Sequence, residues 1–393
     1  MLQPKSVLGL SNPLASVDTS GDSAPTFVDI DDDGDLDAFV GTAAGTLQFY
    51  ENDGSAANPV FVERRGELNP LASVDVGGLS TPAFVDIDND GDFDVFIGKT
   101  YGSVLYFENE GTALSASFTE RTGMSNPLSD SVVGDIVSYD STPAFVDIDD
   151  DGDFDAFIGD VYGTAHYFRN TGSAGSPQFT SPPAAQNPLK DVNVGYSSAP
   201  TFADFDSDGD SDCMMGESYG TVLFYENTGS AMKASFTQRT GGENPLDGIG
   251  VGGRSIPVMI DIDDDGDVDS FVGSIEGTVV FIENMENMAS TPFNDLYVDF
   301  STDSNGTGAI DFPFNILADV VAAAAPNSTI YIEPGLSPEA FAGADAIMKA
   351  LTLMNNGVGT VRIGVPAKTA GQSGTAGLRG GFVSSSGEAR GKK

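Results

Sequence analysis

The chain has 393 residues, and its 17 basic and 59 acidic side chains give it a formal net charge of −42 at pH 7. No basic stripe interrupts the acidic sequence, which argues against a nucleic-acid partner, and one cysteine excludes a disulfide framework within the chain. Apolar residues make up 40% of the sequence, enough to bury a sizeable core, but no apolar run is long enough to span a bilayer.

Residues 4–292 are predicted to form one domain of five repeats, each marked by an acidic loop with the pattern Asp-x-Asp-x-Asp-Gly-Asp-x-Asp. An Asn-Pro-Leu triplet precedes each loop and independently marks the same period of 57 residues. Five such units, with a four-residue insertion near residues 137–140, account for all of residues 4–292. The array therefore holds whole repeats but begins inside one, as in a circular permutation. The loops begin at Asp29, Asp86, Asp147, Asp204 and Asp261, and the triplets begin at Asn12, Asn69, Asn126, Asn187 and Asn244.

Each repeat is predicted to contain four short strands, which in the second copy are Ala83–Ile87, Phe93–Ile97, Ser103–Glu108 and Phe118–Arg121. The acidic loop joins the first two strands, which are apolar on both faces, whereas the fourth strand alternates and carries charge. This gradient runs from a buried inner strand to a wet outer strand. We therefore predict an all-β fold, a five-bladed β-propeller of four-stranded antiparallel blades.

A propeller must close its ring, and the circular permutation indicates how. Lys5–Leu10 occupies the place of a fourth strand without the three strands that should precede it, and the fifth repeat loses its pattern after its third strand. We predict that Lys5–Leu10 completes the last blade, which leaves no long sheet edge open. Phe293–Phe300 is an alternative occupant of that position.

The acidic loops have the chemistry of a calcium site. Carboxylates at loop positions 1, 3, 5 and 9 can converge on one ion, and glycine at position 6 allows the sharp turn. Magnesium fits less well because it prefers a small octahedral shell with several waters. The loops contain 28 of the 59 acidic residues, so five calcium ions would offset ten charges, and we expect the metal-free form to be much less stable.

Two other calcium motifs do not fit these loops. An EF-hand requires glutamate at position 12, where this chain has apolar residues, and the glycine-rich nonapeptide of a calcium β-roll is absent from the sequence. Acidic hairpin turns without metal stay open as an alternative, although a turn alone does not require five complete ligand sets. The residues at position 12 are Val40, Ile97, Ile158, Met215 and Val272.

The loops and their flanking strands, with the sequences Phe-Val-Asp-Ile and Phe-Ile-Gly, resemble the FG-GAP or VCBS-type repeats of integrin-like propellers. This resemblance implies that the carboxylates at positions 1, 3, 5 and 9, with the backbone carbonyl of position 7, hold calcium between the first two strands of a blade. Integrin-like propellers usually have more blades, so five blades is a departure. The implied ligands are Asp29, Asp31, Asp33, Asp35 and Asp37; Asp86, Asp88, Asp90, Asp92 and Asp94; Asp147, Asp149, Asp151, Asp153 and Asp155; Asp204, Asp206, Asp208, Asp210 and Asp212; and Asp261, Asp263, Asp265, Asp267 and Asp269.

The turn before the third strand carries Tyr101, Tyr162 and Tyr219 in the second, third and fourth repeats. Because connections alternate between the two ends of a blade, we expect these turns on the face opposite the acidic loops. Exposed tyrosines there are candidate ligand-binding residues, able to stack on sugar rings or grip a protein loop. The alternative is that each ring only covers its own hairpin.

The sequence contains no nucleophile elbow, zinc motif or phosphate-binding loop, and we predict that the protein is not an enzyme. His166, the only histidine, takes a strand position that other repeats fill with Gln, Leu or Val, so we interpret it as a surface or interstrand residue. Cys213 lies at an apolar strand position and is interpreted as a buried structural thiol. The carboxylates that could do acid–base chemistry are assigned to metal.

Residues 293–365 lack the acidic loops and are predicted to form a small separate segment. A helix is expected at Asn315–Ala325, followed by strands at Thr329–Glu333, Ala350–Met354 and Thr360–Ile363. The Tyr-Ile-Glu-Pro-Gly run after this helix resembles the N-terminal cap and first coil of a right-handed parallel β-helix, a fold of many polysaccharide lyases and adhesins. Residues 366–393 are rich in Gly, Ser and Ala and are predicted to be a disordered basic tail.

Together these features favour an extracellular or cell-surface calcium-binding module for recognition or adhesion, with a protein or glycan ligand and structural calcium. Loops of extracellular modules bind calcium at about 10⁻⁴–10⁻³ M, so cytosolic calcium would leave them empty. Met1–Leu10 lacks the basic start and apolar core of a secretory signal, so we expect another export route or a longer parent chain. The alternatives are a non-catalytic accessory part of a polysaccharide-degrading enzyme and an architectural spacer, and the oligomeric state stays open.

Overall fold

The computed structural model describes residues 12–284, apart from 130–132, 134–136 and 138, and the backbone of three short strands further along the chain. Several predictions lie outside the described residues. They are the closing strand Lys5–Leu10, the helix Asn315–Ala325, the strand Thr360–Ile363 and the tail 366–393.

Residues 12–284 form five antiparallel sheets, one for each repeat, and the strands of each sheet pair in chain order. The blades are β1 (Ser23–Val28), β2 (Asp37–Thr42), β3 (Leu47–Asn52) and β4 (Phe61–Arg64); β5 (Ser80–Val85), β6 (Asp94–Lys99), β7 (Val104–Asn109) and β8 (Phe118–Arg121); β9 (Thr142–Val146), β10 (Asp155–Gly159), β11 (Ala165–Asn170) and β12 (Phe179–Thr180); β13 (Ala199–Ala203), β14 (Asp212–Gly216), β15 (Val222–Asn227) and β16 (Phe236–Arg239); and β17 (Ile256–Ile260), β18 (Asp269–Gly273) and β19 (Val279–Ile282). Single 3₁₀ turns follow the fourth strands, at Gly66–Leu68, Gly123–Ser125, Ala184–Gln186 and Gly241–Glu243.

The first strands of the five blades form an inner ring. Contacts join β1 to β5, β5 to β9, β9 to β13, β13 to β17, and β17 back to β1. This closed order confirms the predicted five-bladed β-propeller. The part of the chain that the structure describes contains no helix long and apolar enough to span a membrane.

The inner strands begin earlier than the hydrophobic pattern predicts. The first strand of blade 2 runs over Ser80–Val85, whereas the pattern predicted Ala83–Ile87. The earlier start takes Pro82 into the strand, where it is tolerated because an inner strand pairs through backbone hydrogen bonds on one side only. The predicted fourth strand, Phe118–Arg121, is observed with the same bounds.

Serine side chains tie each blade to the next. At the start of blade 2, the Ser80 hydroxyl donates to the carbonyl of Thr46 in blade 1 at 2.8 Å. At the start of blade 1, the Ser23 hydroxyl donates to the carbonyl of Thr278 in blade 5 at 2.7 Å. The ring is therefore closed by the same contact that joins consecutive blades.

The Asn-Pro-Leu triplets show where the circular permutation falls. Asn69 follows blade 1, and its Nδ2 donates to the carbonyl of Leu47 in the third strand of that blade at 3.0 Å. Asn12 makes the equivalent bond across 267 residues, to the carbonyl of Val279 in blade 5 at 2.6 Å. Asn12 therefore belongs structurally to the fifth blade, as the repeat arithmetic predicts.

The core lies between the blades, where aromatic rings from neighbouring sheets meet. Phe39 of β2 packs on Phe84 of β5 with ring centroids 4.8 Å apart, and Phe271 packs on Phe27 across the closure at 4.5 Å. Gly41, two residues after Phe39, allows this close approach, since a Cβ there would lie 2.1 Å from a backbone oxygen of blade 2. Apolar burial between blades thus holds the ring together.

Three further strands, β20 (Asp295–Val298), β21 (Thr329–Ile332) and β22 (Thr352–Asn355), pair in parallel within a second compact unit. β20 occupies most of Phe293–Phe300, the alternative candidate for the closing strand, and its partner is β21. The resemblance of this unit to a β-helix remains a prediction.

Candidate metal centres

Each acidic loop is folded by hydrogen bonds from its own backbone to its own carboxylates. In the first loop, Asp29 accepts from the backbone nitrogens of Asp33 at 3.2 Å and Gly34 at 3.1 Å, and Asp33 accepts from that of Asp35 at 3.2 Å. Gly34 at position 6 has a φ of 94°, a conformation that favours glycine. The same bonds recur in the other four loops.

This loop conformation brings the carboxylates of positions 1, 3 and 5 together. In every loop, one oxygen from each of the three lies within 4.8 Å of the other two. Three converging carboxylates in such a space form a donor set for a hard cation. The triads are Asp29, Asp31 and Asp33; Asp86, Asp88 and Asp90; Asp147, Asp149 and Asp151; Asp204, Asp206 and Asp208; and Asp261, Asp263 and Asp265.

The aspartate at position 9 opens the second strand and is buried. Asp37 is 3% exposed, and its Oδ1 accepts from the backbone nitrogen of Asn52, at the end of β3, at 2.7 Å. Each other blade has an equivalent bond of 2.6 or 2.7 Å. In blades 2 and 3, the second oxygen accepts from the hydroxyls of Tyr106 and Tyr167. Position 9 therefore joins the loop to the third strand, a contact that the sequence pattern did not reveal.

Several carboxylate oxygens of the loops are buried and have no hydrogen-bond partner among the described residues. They include Oδ1 of Asp88, Asp149 and Asp263 at position 3, Oδ1 of Asp35, Asp92 and Asp210 at position 7, and Oδ2 of Asp37 and Asp269 at position 9. A buried carboxylate oxygen without a donor is costly unless a cation satisfies it. The residues present therefore fit a bound calcium ion.

Burial and mutual repulsion raise the pKa values of these carboxylates. Burial raises the pKa of Asp37 to about 7, and burial with the neighbouring carboxylates of the triad raises the pKa of Asp35 to about 6. Burial also raises the pKa of the other ninth-position aspartates, to about 7 at Asp94, Asp155 and Asp212 and to about 8 at Asp269. Without a cation, the loops therefore resist full ionisation.

The structure thus brings together three of the five predicted ligands in each loop. The roles of the position 7 carbonyl and the position 9 carboxylate as ligands stay predictions. The sequence pattern assigned position 7 only through its carbonyl, whereas the buried side-chain oxygens at Asp35, Asp92 and Asp210 make its carboxylate a further candidate ligand.

The predicted tyrosine turns lie between the second and third strands, at the opposite end of the second strand from the acidic loops. Tyr101, Tyr162 and Tyr219 are 73, 57 and 77% exposed. Each of these residues is therefore more than half exposed, and the choice between ligand binding and covering the hairpin stays a prediction.

Buried acidic residues hold two of these turns in shape. Asp160 accepts from the backbone nitrogen of Tyr162 at 2.9 Å, and Glu217 accepts from that of Tyr219 at 2.7 Å. Asp160 also accepts from the backbone nitrogen and hydroxyl of Thr164. Glu217 accepts in the same way from Thr221. The exposed rings therefore stand on turns whose backbone is fixed.

Two further exposed tyrosines, which sequence reasoning missed, lie beside these turns. Tyr139 and Tyr196 precede the inner strands of blades 3 and 4, and their carbonyls accept from backbone nitrogens of the turns that carry Tyr162 and Tyr219. The rings of Tyr139 and Tyr101 meet edge to face at 6.0 Å. We call these five residues the tyrosine band. The available signal was that tyrosine replaces the glycine of the other repeats at the same distance before the inner-strand proline.

His166 and Cys213 have the environments expected from the sequence. His166 Nε2 lies 3.0 Å from Asp160 Oδ2 and 3.3 Å from Thr164 Oγ1. A catalytic relay places the acid and the nucleophile on different ring nitrogens, and here both partners share one. Cys213 is fully buried, and burial raises the pKa of its thiol.

Comparison with known proteins supports the repeat assignment. Residues 29–97 and 147–215 match the family described as FG-GAP-like repeat, and each match begins at position 1 of an acidic loop. The chain therefore contains FG-GAP-like repeats, which confirms the resemblance seen in the sequence. No curated protein matches the chain in sequence.

Three solved structures illustrate the more distant likenesses. An Agrocybe aegerita lectin that recognises non-reducing terminal N-acetylglucosamine is 16% identical over 64% of this chain and 61% of the lectin, with a TM-score of 0.37. The designed protein Ika8 is 13% identical over 67% of this chain and 71% of its own, with a TM-score of 0.28. The exotype rhamnogalacturonan lyase YesX is 14% identical over 72% of this chain and 58% of the lyase, with a TM-score of 0.25. The match thus spans less than two thirds of the lectin and of the lyase, and TM-scores this low carry no functional argument.

Proposed function

We propose that this protein, a five-bladed β-propeller of FG-GAP-like repeats, is a calcium-dependent recognition module that works outside the cell. In this proposal calcium is structural, and the tyrosine band binds an extracellular protein or glycan. The observation that carries the proposal is the exposure of rigidly mounted tyrosines on the end of the blades opposite the acidic loops.

The carboxylates at positions 1, 3 and 5 would hold the metal, together with the buried oxygens at position 7. Bound calcium supplies the positive charge that lets these carboxylates ionise fully. The loop joins the first two strands, and the position 9 aspartate bonds the end of the third. A metal that orders the loop would therefore stabilise three strands of its blade.

The chemistry of this site supports an extracellular location. Aspartate loops of extracellular modules bind calcium at about 10⁻⁴–10⁻³ M, a concentration found outside cells. A chain that such loops stabilise gains that stability only where calcium is that abundant.

The tyrosine band has the properties of a binding surface. Tyrosine presents a large flat ring and a polar hydroxyl, and it loses little conformational entropy when it is immobilised. The buried Asp160 and Glu217 already fix the backbone under Tyr162 and Tyr219, which lowers the cost of binding further. Sugar rings and polar peptide loops are the ligands that such a surface suits.

We propose binding without turnover, because the chain's clustered carboxylates fit a metal and its single histidine is paired with Asp160 in the turn before its own strand. The two other candidates make different predictions. An accessory part of a polysaccharide-degrading enzyme would bind glycans only, whereas an architectural spacer would bind neither class of ligand.

A glycan array and a panel of extracellular matrix proteins test the proposal, with calcium at about 1 mM. The variant with Tyr101, Tyr162 and Tyr219 changed to serine should lose roughly tenfold or more in affinity. The matched control changes Leu114 and Met232 to serine, since these side chains are 69 and 72% exposed on turns at the acidic-loop end of the blades.

Selective binding that the tyrosine variant loses and the control retains supports the proposal. Equal losses in both variants, or no ligand in either panel, would contradict it. Release of reducing ends by the chain alone would refute the non-enzymatic part.

A further inference from the structure

The third acidic loop differs from the others by a neighbouring positive charge. The residue before the asparagine that donates to the position 9 aspartate is arginine in blade 3, at Arg169, and glutamate in the other four blades. The glutamates are Glu51, Glu108, Glu226 and Glu283.

In the other blades whose fourth strand is described, this glutamate pairs with an arginine of that strand. Arg121 Nε lies 2.6 Å from Glu108 Oε2, and Arg239 Nε lies 2.7 Å from Glu226 Oε2. Arg64 pairs with Glu51 in the same way. The net charge of each pair is therefore zero.

Blade 3 has lost this pair from both sides. From the start of its fourth strand the chain reads Phe-Thr-Ser-Pro, where blade 4 reads Phe-Thr-Gln-Arg, so Pro182 takes the place of the arginine. In blade 3 the third strand therefore supplies a positive charge, Arg169, where the other blades have a glutamate.

The Arg169 guanidinium lies against the metal-binding triad. Its Nη2 is 2.6 Å from Asp149 Oδ2 and 3.2 Å from Asp151 Oδ2. These aspartates hold positions 3 and 5 of the loop, so two of the three triad carboxylates already have a cationic partner. The Oδ1 of Asp149 is buried and has no hydrogen-bond partner in the described part of the chain, so this oxygen is still available to a cation.

We propose that Arg169 makes the third loop a low-affinity calcium site that fills after the other four. Near this loop a divalent ion meets the net positive charge of Arg169, whereas in blades 1, 2 and 4 it meets a Glu–Arg pair with no net charge. The ion also competes with the guanidinium for Asp149 and Asp151. The same contact neutralises part of the loop without metal, so blade 3 needs calcium less. This inference rests on calcium binding by the loops, as proposed above.

Calorimetric titration of calcium into the full chain, freed of metal with a chelator, tests this directly. We expect four sites of similar affinity and a fifth that is roughly tenfold or more weaker. Arg169→Gln should strengthen the weak site and Arg169→Glu should bring it within a few-fold of the others. Asp149→Ala should remove the weak class and leave four strong sites, whereas Asp31→Ala should remove one strong site.

Lys190→Glu is the matched control for Arg169→Glu. It makes the same change of charge at an exposed residue whose ionic partner is the adjacent Asp191, beyond the start of the third strand and away from the loop. It should leave the weak site weak. Circular dichroism of each variant in calcium shows whether the propeller is folded.

Five equivalent sites in the unaltered chain, or a weak site that Arg169→Gln leaves unchanged, would overturn the role of Arg169 while calcium binding stands. Absence of binding at all five loops would overturn both this inference and the structural role of calcium.

Discussion

Removal of calcium should lower the melting temperature of the propeller by a large margin. The structure contains five triads, and a ligand that binds only the folded state stabilises it in proportion to the number of sites that it fills. With a Kd of about 10⁻³ M and about 10 mM calcium, each site contributes about 1.4 kcal/mol. Four equivalent sites therefore contribute about 6 kcal/mol, and a fifth site that is tenfold weaker adds about 0.4 kcal/mol. At about 2 °C or more per kcal/mol for a domain of this size, the expected shift is about 12 °C or more.

The assay is thermal unfolding followed by circular dichroism near neutral pH, in calcium or in chelator, at matched ionic strength. Asp31→Ala should reduce the calcium-dependent shift by roughly one site's share. Asp32→Asn is the matched control, because it removes a charge from the same loop outside the triad, and the second loop already has Asn89 at that position. A melting temperature that does not respond to calcium, or equal effects of the two variants, would refute the reasoning.

Three further predictions concern the metal-free form and the ring. Burial raises the folded-state pKa of the ninth-position aspartates to about 7 or 8. The metal-free chain should therefore be most stable near their unfolded pKa of about 4, and it should lose stability as the pH rises through 7. Urea titrations in chelator at several pH values measure this. Gly41→Ala should destabilise the protein by about 3 kcal/mol or more, because its Cβ would lie 2.1 Å from the Ser80 carbonyl, whereas Gly242→Ala, with open space, should change stability little. Asn12→Ala should cost about 1–3 kcal/mol in chemical denaturation, since it removes the bond to Val279 at the closure. A metal-free chain whose stability rises with pH would contradict the raised pKa values. Unchanged stability in Gly41→Ala or Asn12→Ala would contradict the contact that the substitution disturbs.

The repeat made most of the fold predictable from one sequence. Five in-phase loops fixed the number of blades, and the loop chemistry identified the triads, because a carboxylate pattern with a fixed turn has few ways to fold. The inner strands were harder. Pro82 reads as a breaker in isolation and is allowed only because its strand has one free edge, a fact of the assembled ring.

Features that depend on tertiary contacts within a blade also escaped the pattern. Tyr139 and Tyr196 join the band only because the loop before one blade lies beside a turn of that blade. The position 9 aspartate accepts a hydrogen bond from the end of the third strand, 15 residues further along the chain. Arg169 is a single departure from the repeat, and its meaning depends on a distance to the loop that no spacing in the sequence gives.

The central claim is that each blade of the closed ring contains one calcium-binding loop. The number of calcium ions bound per chain tests this claim most directly. Native mass spectrometry of the folded chain in excess calcium should show five ions, with the fifth lost first as calcium is lowered. A folded chain that carries no calcium, or one or two ions, under these conditions would contradict the account.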